Sequence, residues 1–348
     1  IRKGSGGYPF LRGYGTVERV DRREDSDRHR VRLTSQRASD RGEAAAPDAS
    51  GGGADAWPDI ARSLAGPGGF FLDGPSGHSF LHVPRSSDVL VVTFDNLDIA
   101  MTKRADRRPW GYEFIERQGW SMLGVLAGGW SWYREPWVAE QFLRLRDEGF
   151  FSTYRRVVFY GASMGGYAAA AFSAACPGAD VVAISPQSTL DRKLVPWETR
   201  YRTAWGYDYS GPFGDAAQVS AEAARVTILY DPYERLDAAH AERFAQPNVV
   251  RLRCPLMGHR LGSSLSQMGI LSPLITAALA GTLTESQFYR TLRARRNFPR
   301  YQKELFNRAL ARGRPDLARR VADWVLARGP HRAIRRGLAR LEANTVEP

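Results

Sequence analysis

The chain has 348 residues, 43% hydrophobic and 25% charged, enough apolar matter for one large core plus appendages. Its net charge of +12 is unevenly placed: residues 1–55 carry 11 basic and 9 acidic side chains, residues 56–284 carry 22 of each, and residues 285–348 carry 16 and 6. The neutral middle argues against a nucleic-acid-binding body, no apolar run approaches the ~18–20 residues of a membrane span, and two cysteines, Cys176 and Cys254, exclude a disulfide framework. Free thiols suit a reducing compartment, so a cytoplasmic location is expected.

Residues 1–55 mix Arg and Asp in short blocks, contain Gly51-Gly52-Gly53 and show no sustained apolar period. They are expected to be disordered and to lie outside the fold. From about residue 68 the text changes. Phe70–Leu72 and Ser79–Val83 flank a Gly/Pro-rich turn and predict a hairpin. Val89–Phe94 (VLVVTF) is a continuous apolar run, as a strand buried on both faces requires. Trp120–Ala127 is another. Glu135–Arg146 has helical spacing, with Trp137, Val138, Phe142 and Leu145 on one side. Arg156–Tyr160 predicts a third buried strand, and Gly166–Cys176 a helix of small apolar residues packed on the sheet.

Asp180–Ser185, Val226–Tyr230 and Val249–Cys254 predict three further strands, with helices over Asp237–Phe244 and Leu261–Leu279. Strands alternating with helices imply a mostly parallel sheet with helices on both faces, hence the α/β class. Pro186–Ala224 is a long aromatic-rich insert, and a connection this long predicts a lid or binding loop. The domain reading is therefore an α/β body over 56–284, with the insert at 186–224, and a basic helical tail over 285–348. Gly313 and Gly329-Pro330 divide that tail into helices over Tyr301–Ala311, Pro315–Ala327 and His331–Leu341. Its charge predicts an anionic or protein partner.

The sharpest chemical signal is Gly161-Ala162-Ser163-Met164-Gly165, which matches G-x-S-x-G. A serine hydroxyl is a poor nucleophile unless it is held exposed beside a base. A sharp strand-to-helix turn holds it so, and here the motif directly follows the strand ending at Tyr160 and opens a helix. His259, just after the last strand, is the expected general base, because an imidazole both takes and returns a proton near neutral pH. Asp231, which ends the strand Val226–Tyr230, is the expected group that orients the histidine; Glu234 and Asp237 compete for that role. Trp130 and Trp132 follow a strand C-terminus, where such sheets place their sites, and with Trp197 they are expected to line the substrate pocket. No metal-ligand spacing occurs, and neither a metal nor a cofactor is expected.

The motif, the order Ser163…Asp231…His259 and the antiparallel start followed by parallel strands are similar to the α/β-hydrolase superfamily over about residues 68–281. The resemblance implies an oxyanion hole built from the backbone N–H of Met164 and a second N–H from the loop Asp95-Asn96-Leu97, supplied by Asp95 or Asn96. It implies hydrolysis of an ester, thioester or amide through an acyl-enzyme, most simply an esterase acting on a small-molecule or glycan-linked acyl substrate. Two rivals share the sequence: an acyltransferase in which a sugar or alcohol replaces water, and a non-catalytic interaction protein with a degenerate hydrolase body.

Overall fold

The computed structural model describes residues 57–96 and 108–346, so the reading of residues 1–55 as disordered falls outside the described residues. Eight strands form one sheet: β1 (Phe70–Asp73), β2 (Ser79–Val83), β3 (Val89–Asn96), β4 (Ser121–Ala127), β5 (Arg156–Ala162), β6 (Asp180–Ile184), β7 (Arg225–Tyr230) and β8 (Val249–Arg253). The α-helices are α1 (Trp57–Ala65), α2 (Tyr112–Arg117), α3 (Pro136–Asp147), α4 (Met164–Phe172), α5 (Ala216–Val219), α6 (Arg235–Arg243), α7 (Leu261–Gln267), α8 (Leu271–Leu279), α9 (Glu285–Thr291), α10 (Pro299–Ala311), α11 (Pro315–Leu326) and α12 (Arg332–Val346).

The spatial order is β1-β2-β4-β3-β5-β6-β7-β8. β1 and β2 pair antiparallel, and β2 lies antiparallel to β4, with Phe80 opposite Val125. Every later pairing is parallel. The long apolar runs follow from this arrangement, because each inner strand sends alternate side chains into two cores. On β5, Val157 and Phe159 enter one core while Val158 and Tyr160 enter the other.

The first core lies under α3 and α4. Phe142 of α3 stacks on Phe172 of α4, ring centroids 4.5 Å apart, and both meet Phe94 of β3 at 6.0 Å. Truncating Phe142 to alanine would cost about 3–5 kcal/mol by the usual transfer-plus-cavity rule. The opposite core lies under α1, α2, α7 and α8, with Trp57, Ile115, Leu261, Leu274 and Ile275 among its buried members. The α/β class with helices on both faces is thus the observed one. The stretch Leu261–Leu279 is broken at Gly269 (φ 71°), which separates α7 from α8. The three expected tail helices are α10, α11 and α12, closed around a small core of Phe306, Ala318, Ala322, Val325 and Ile334. Among the described residues, no helix is long and apolar enough to cross a membrane.

The sheet order places the site. β3 lies between β4 and β5, so the chain turns one way after β3 and the other way after β4. A crevice opens where the winding reverses, outside the carboxyl ends of the strands. Six non-glycine residues among those described have positive φ, and five follow a strand's carboxyl end: Trp132 and Tyr133 after β4, Ser163 after β5, Ser185 after β6, and Leu256 after β8. Each such residue costs on the order of 1–3 kcal/mol, and such strain gathers at functional sites.

Candidate active site

Ser163 stands between β5 and α4 with φ 53° and ψ −119°. Its N–H donates to the Ile184 carbonyl at 2.8 Å, and its own carbonyl accepts from the Tyr167 N–H at 2.9 Å, so neighbouring strand and helix pin the turn. The motif's glycines are steric requirements. A Cβ at Gly161 would fall into the Gly165 carbonyl, and one at Gly165 would lie 2.8 Å from the Phe94 carbonyl oxygen.

His259 follows β8 and reaches back to the serine. The Ser163 Oγ lies 3.0 Å from His259 Nε2. The other ring nitrogen, Nδ1, lies 2.8 Å and 3.0 Å from the two carboxylate oxygens of Asp237. A carboxylate at Nδ1 fixes the proton there and leaves the Nε2 lone pair facing the serine. The Asp237 side chain is 0% exposed and that of His259 is 27% exposed. The imidazole is therefore open to the cavity on one side and anchored on the other.

Asp237, not Asp231, holds the histidine. The Asp231 carboxylate is occupied by three backbone donors: Tyr233 N at 2.9 Å, Leu256 N at 3.1 Å and Gly258 N at 2.7 Å. It ties the loop after β7 to the loop that delivers His259. Asp237 comes into reach because it lies in the first turn of α6, which carries it back over the sheet edge.

Sequence reasoning missed three further residues, all in the insert. The Tyr201 hydroxyl lies 3.1 Å from the same His259 Nε2. Burial raises its pKa above the ordinary phenol value, so it stays neutral. Arg200 donates to Asp237 Oδ1 at 2.6 Å and to Glu198 Oε2 at 2.7 Å. Glu198 also accepts from His240 Nε2 at 3.0 Å, while His240 Nδ1 accepts from the Ser188 N–H at 3.1 Å. Burial works against ionisation of Glu198, but the hydrogen bonds from His240 and Arg200 outweigh it and hold the carboxyl at about 2. Burial would likewise lower the Arg200 pKa, yet Glu198 and Asp237 raise it above the ordinary guanidinium value. The only signal in the sequence was the length of the insert; its polar residues show no spacing that marks them.

A cavity of about 400 Å³ opens over Ser163 and His259, bordered also by Asp95, Trp130, Tyr133, Met164, Tyr201 and Arg260. Met164 opens α4, so its N–H is one of the helix's donors without an intrahelical partner. Asp95 is not a loop residue: β3 runs through Asn96, pairing Asp95 with Leu126 and Asn96 with Ala127. The Asp95 carbonyl accepts from the Tyr133 hydroxyl at 2.8 Å, and its carboxylate accepts from the Trp110 N–H at 2.9 Å. The side chain of Asn96 and the whole of Leu97 lie outside the described residues.

The three tryptophans separate. Trp130 borders the cavity and is 61% exposed. Trp132 is buried behind it and packs edge-on against Tyr201, ring centroids 4.9 Å apart. Its positive φ turns the chain so that neighbouring rings face opposite ways. Trp197 packs at a tilt against His240, ring centroids 4.6 Å apart, and does not border the cavity. So Trp132 and Trp197 support Tyr201 and the Glu198 cluster rather than a substrate.

No family model matches the sequence, and no curated protein matches it. Among solved structures, the chain is similar to the capsule O-acetyltransferase of Neisseria meningitidis serogroup A (TM-score 0.42, 12% identity, 63% of this chain and 99% of that one). It is also similar to carboxyl esterase 2 from the mycorrhizal fungus Tuber melanosporum (0.39, 17% identity, 65% and 85%). A third likeness is to alpha/beta hydrolase domain-containing protein 10 from mouse (0.34, 13% identity, 62% and 99%). The fold class rests on the chain's own eight-stranded, mostly parallel sheet with helices on both faces. These likenesses assign no residue of this chain a role.

Proposed function

We propose that this chain is a serine hydrolase that cleaves an ester, thioester or amide through an acyl-enzyme, with Ser163 as nucleophile, His259 as general base and Asp237 as the orienting carboxylate. The observation that carries the reading is the hydroxyl–imidazole–carboxylate line: 3.0 Å from Ser163 to Nε2 and 2.8 Å from Nδ1 to Asp237. Ser163 Oγ attacks the carbonyl carbon while its proton passes to Nε2. The leaving group takes that proton as its bond to carbon breaks, leaving an ester on Ser163. Water then repeats the sequence: its proton goes to Nε2, its oxygen bonds the acyl carbon, the bond from Ser163 Oγ to that carbon breaks as the serine takes the proton from Nε2, and the carboxylic acid leaves. Asp237 stays ionised and stabilises the imidazolium in both halves.

Met164 N–H and Asp95 N–H are the proposed donors to the oxyanion, and each such donor is worth about 100- to 1,000-fold in kcat. The cavity of about 400 Å³ over Ser163 is of the size that admits a small-molecule ester. The test is a fluorophosphonate probe together with an ester panel on the purified full chain. Ser163 becomes labelled, and Ser163→Ala loses both label and turnover, on the order of a millionfold. Wild-type turnover in folded Ser163→Ala would end the reading. Adding candidate alcohols during turnover separates hydrolysis from acyl transfer by the product formed.

A further inference from the structure

A cavity of about 810 Å³, twice the volume of the one over Ser163, lies on the other side of the β7 and β8 loops. One wall is Tyr233, Pro255 and Leu256 of the α/β body; the others are α10 and α11. α11 has two apolar faces. Ala318, Ala322 and Val325 pack into the small tail core. Leu317, Val321 and Trp324 fall at i, i+4 and i+7 and border the cavity. Leu317 is 39% exposed, Trp324 37% and Tyr233 46%, so three of the six large exposed hydrophobics among the described residues meet in this one groove.

The rim has a single sign of charge. Arg296, Arg308, Arg312, Arg314 and Arg320 border the groove and no Asp or Glu does. None of the five has a carboxylate partner among the described residues; the tail's ion pairs, Lys303–Glu304 and Arg319–Asp316, involve other side chains. Arg308 lies over the Tyr233 ring, 3.5 Å from its centroid, and its buried Nε has no hydrogen-bond partner. An apolar helical stripe left open inside a ring of unpaired guanidiniums is complementary to apolar side chains flanked by carboxylates.

We propose that this groove docks an acidic amphipathic helix of a protein partner, with apolar side chains at i, i+4 and i+7 against Leu317, Val321 and Trp324 and carboxylates toward the arginine rim. The i, i+4, i+7 stripe is the pattern by which one helix seats against another. A nucleic acid would satisfy the arginines but has no apolar groups for the stripe beneath them. A bilayer surface is too flat to reach a floor walled by α10, α11 and the body loops. The proposal stands apart from the esterase reading, since none of these residues borders the cavity over Ser163.

The test uses the full chain and a fluorescein-labelled synthetic helical peptide with leucines at i, i+4 and i+7 flanked by glutamates, followed by anisotropy. Controls are a scrambled peptide of the same composition and one with lysine for glutamate. The acidic helix binds, the controls do not, and added salt weakens binding. Arg314→Glu with Arg320→Glu, and separately Leu317→Asp, weaken it by about tenfold or more. Circular dichroism melts and unchanged phosphonate labelling of Ser163 show that the variants fold. Failure of the acidic peptide to bind, equal binding of the scrambled peptide, unaltered binding by the folded variants, or preferential binding of RNA or anionic vesicles would each overturn the proposal.

Discussion

Asp231 and Asp237 leave the same strand end six positions apart, both buried, and serve different masters. Asp231 accepts three backbone N–H groups and fastens two loops. Asp237 accepts from the His259 imidazole and the Arg200 guanidinium and so links His259 to the insert. Their chemistry is identical and only their donors differ. A carboxylate facing fixed backbone dipoles organises the chain, whereas in the proposed reaction one facing a titratable ring would also stabilise the charge that forms on it. The two should therefore fail in different ways when altered.

The largest separation is expected in turnover. Asp237→Asn keeps the shape but favours the wrong tautomer of His259, and kcat should fall about 10,000-fold, the loss usual for this change in a triad. A loss smaller than that of Asp231→Asn would break the assignment. Measuring kcat of both variants on one ester, with melting curves alongside, makes the comparison direct.

Arg200 comes next, because it faces only the Asp237 side of the comparison. Arg200→Met leaves Glu198 and Asp237 as buried carboxylates without their shared cation, a change that typically costs about 3–5 kcal/mol. Denaturant unfolding measures it, and a midpoint equal to wild type would show the bridge to be ornamental. Asp231→Asn should then cost less, about 2–3 kcal/mol, since an amide oxygen still accepts from the loops. Its kcat should change by less than about tenfold, because Asp237 still holds the ring.

These contrasts also mark what the sequence could disclose. The buried strands were legible because a strand covered on both faces must be apolar throughout, as VLVVTF and VTILY are. The Ser163 turn was legible because its requirements are local: two glycines that clear neighbouring carbonyls and one residue in a strained conformation. His259 followed from its place after β8. The choice between Asp231 and Asp237 was not local. It depends on how α6 turns back over the sheet and how far the loop after β8 reaches, and both aspartates satisfy the same chain order. Tyr201 and Arg200 lie in an insert without apolar period, so nothing short of the folded chain brings them to His259. Trp130 and Trp132 part for a similar reason, since a backbone turn at positive φ sends one ring out and the other inward.

The smallest effect tests the far end of the same bridge. Glu198 has its carboxyl lowered from 4.5 to about 2 in the folded chain. The unfolded chain therefore binds the proton first as pH falls, so the stability Glu198 contributes is complete above about pH 5 and drains away between 4.5 and 2. Linkage puts the loss at roughly 1 kcal/mol by pH 4. Glu198→Gln should lack this part of the acid sensitivity while keeping the rest, so the difference between the two stability–pH curves isolates it. Asp231→Asn should leave that difference intact, because its donors are backbone amides far from Arg200's other contacts. Curves that stay parallel from pH 7 to pH 3 would mean that His240 and Arg200 do not hold the Glu198 carboxyl below its ordinary value in the folded chain.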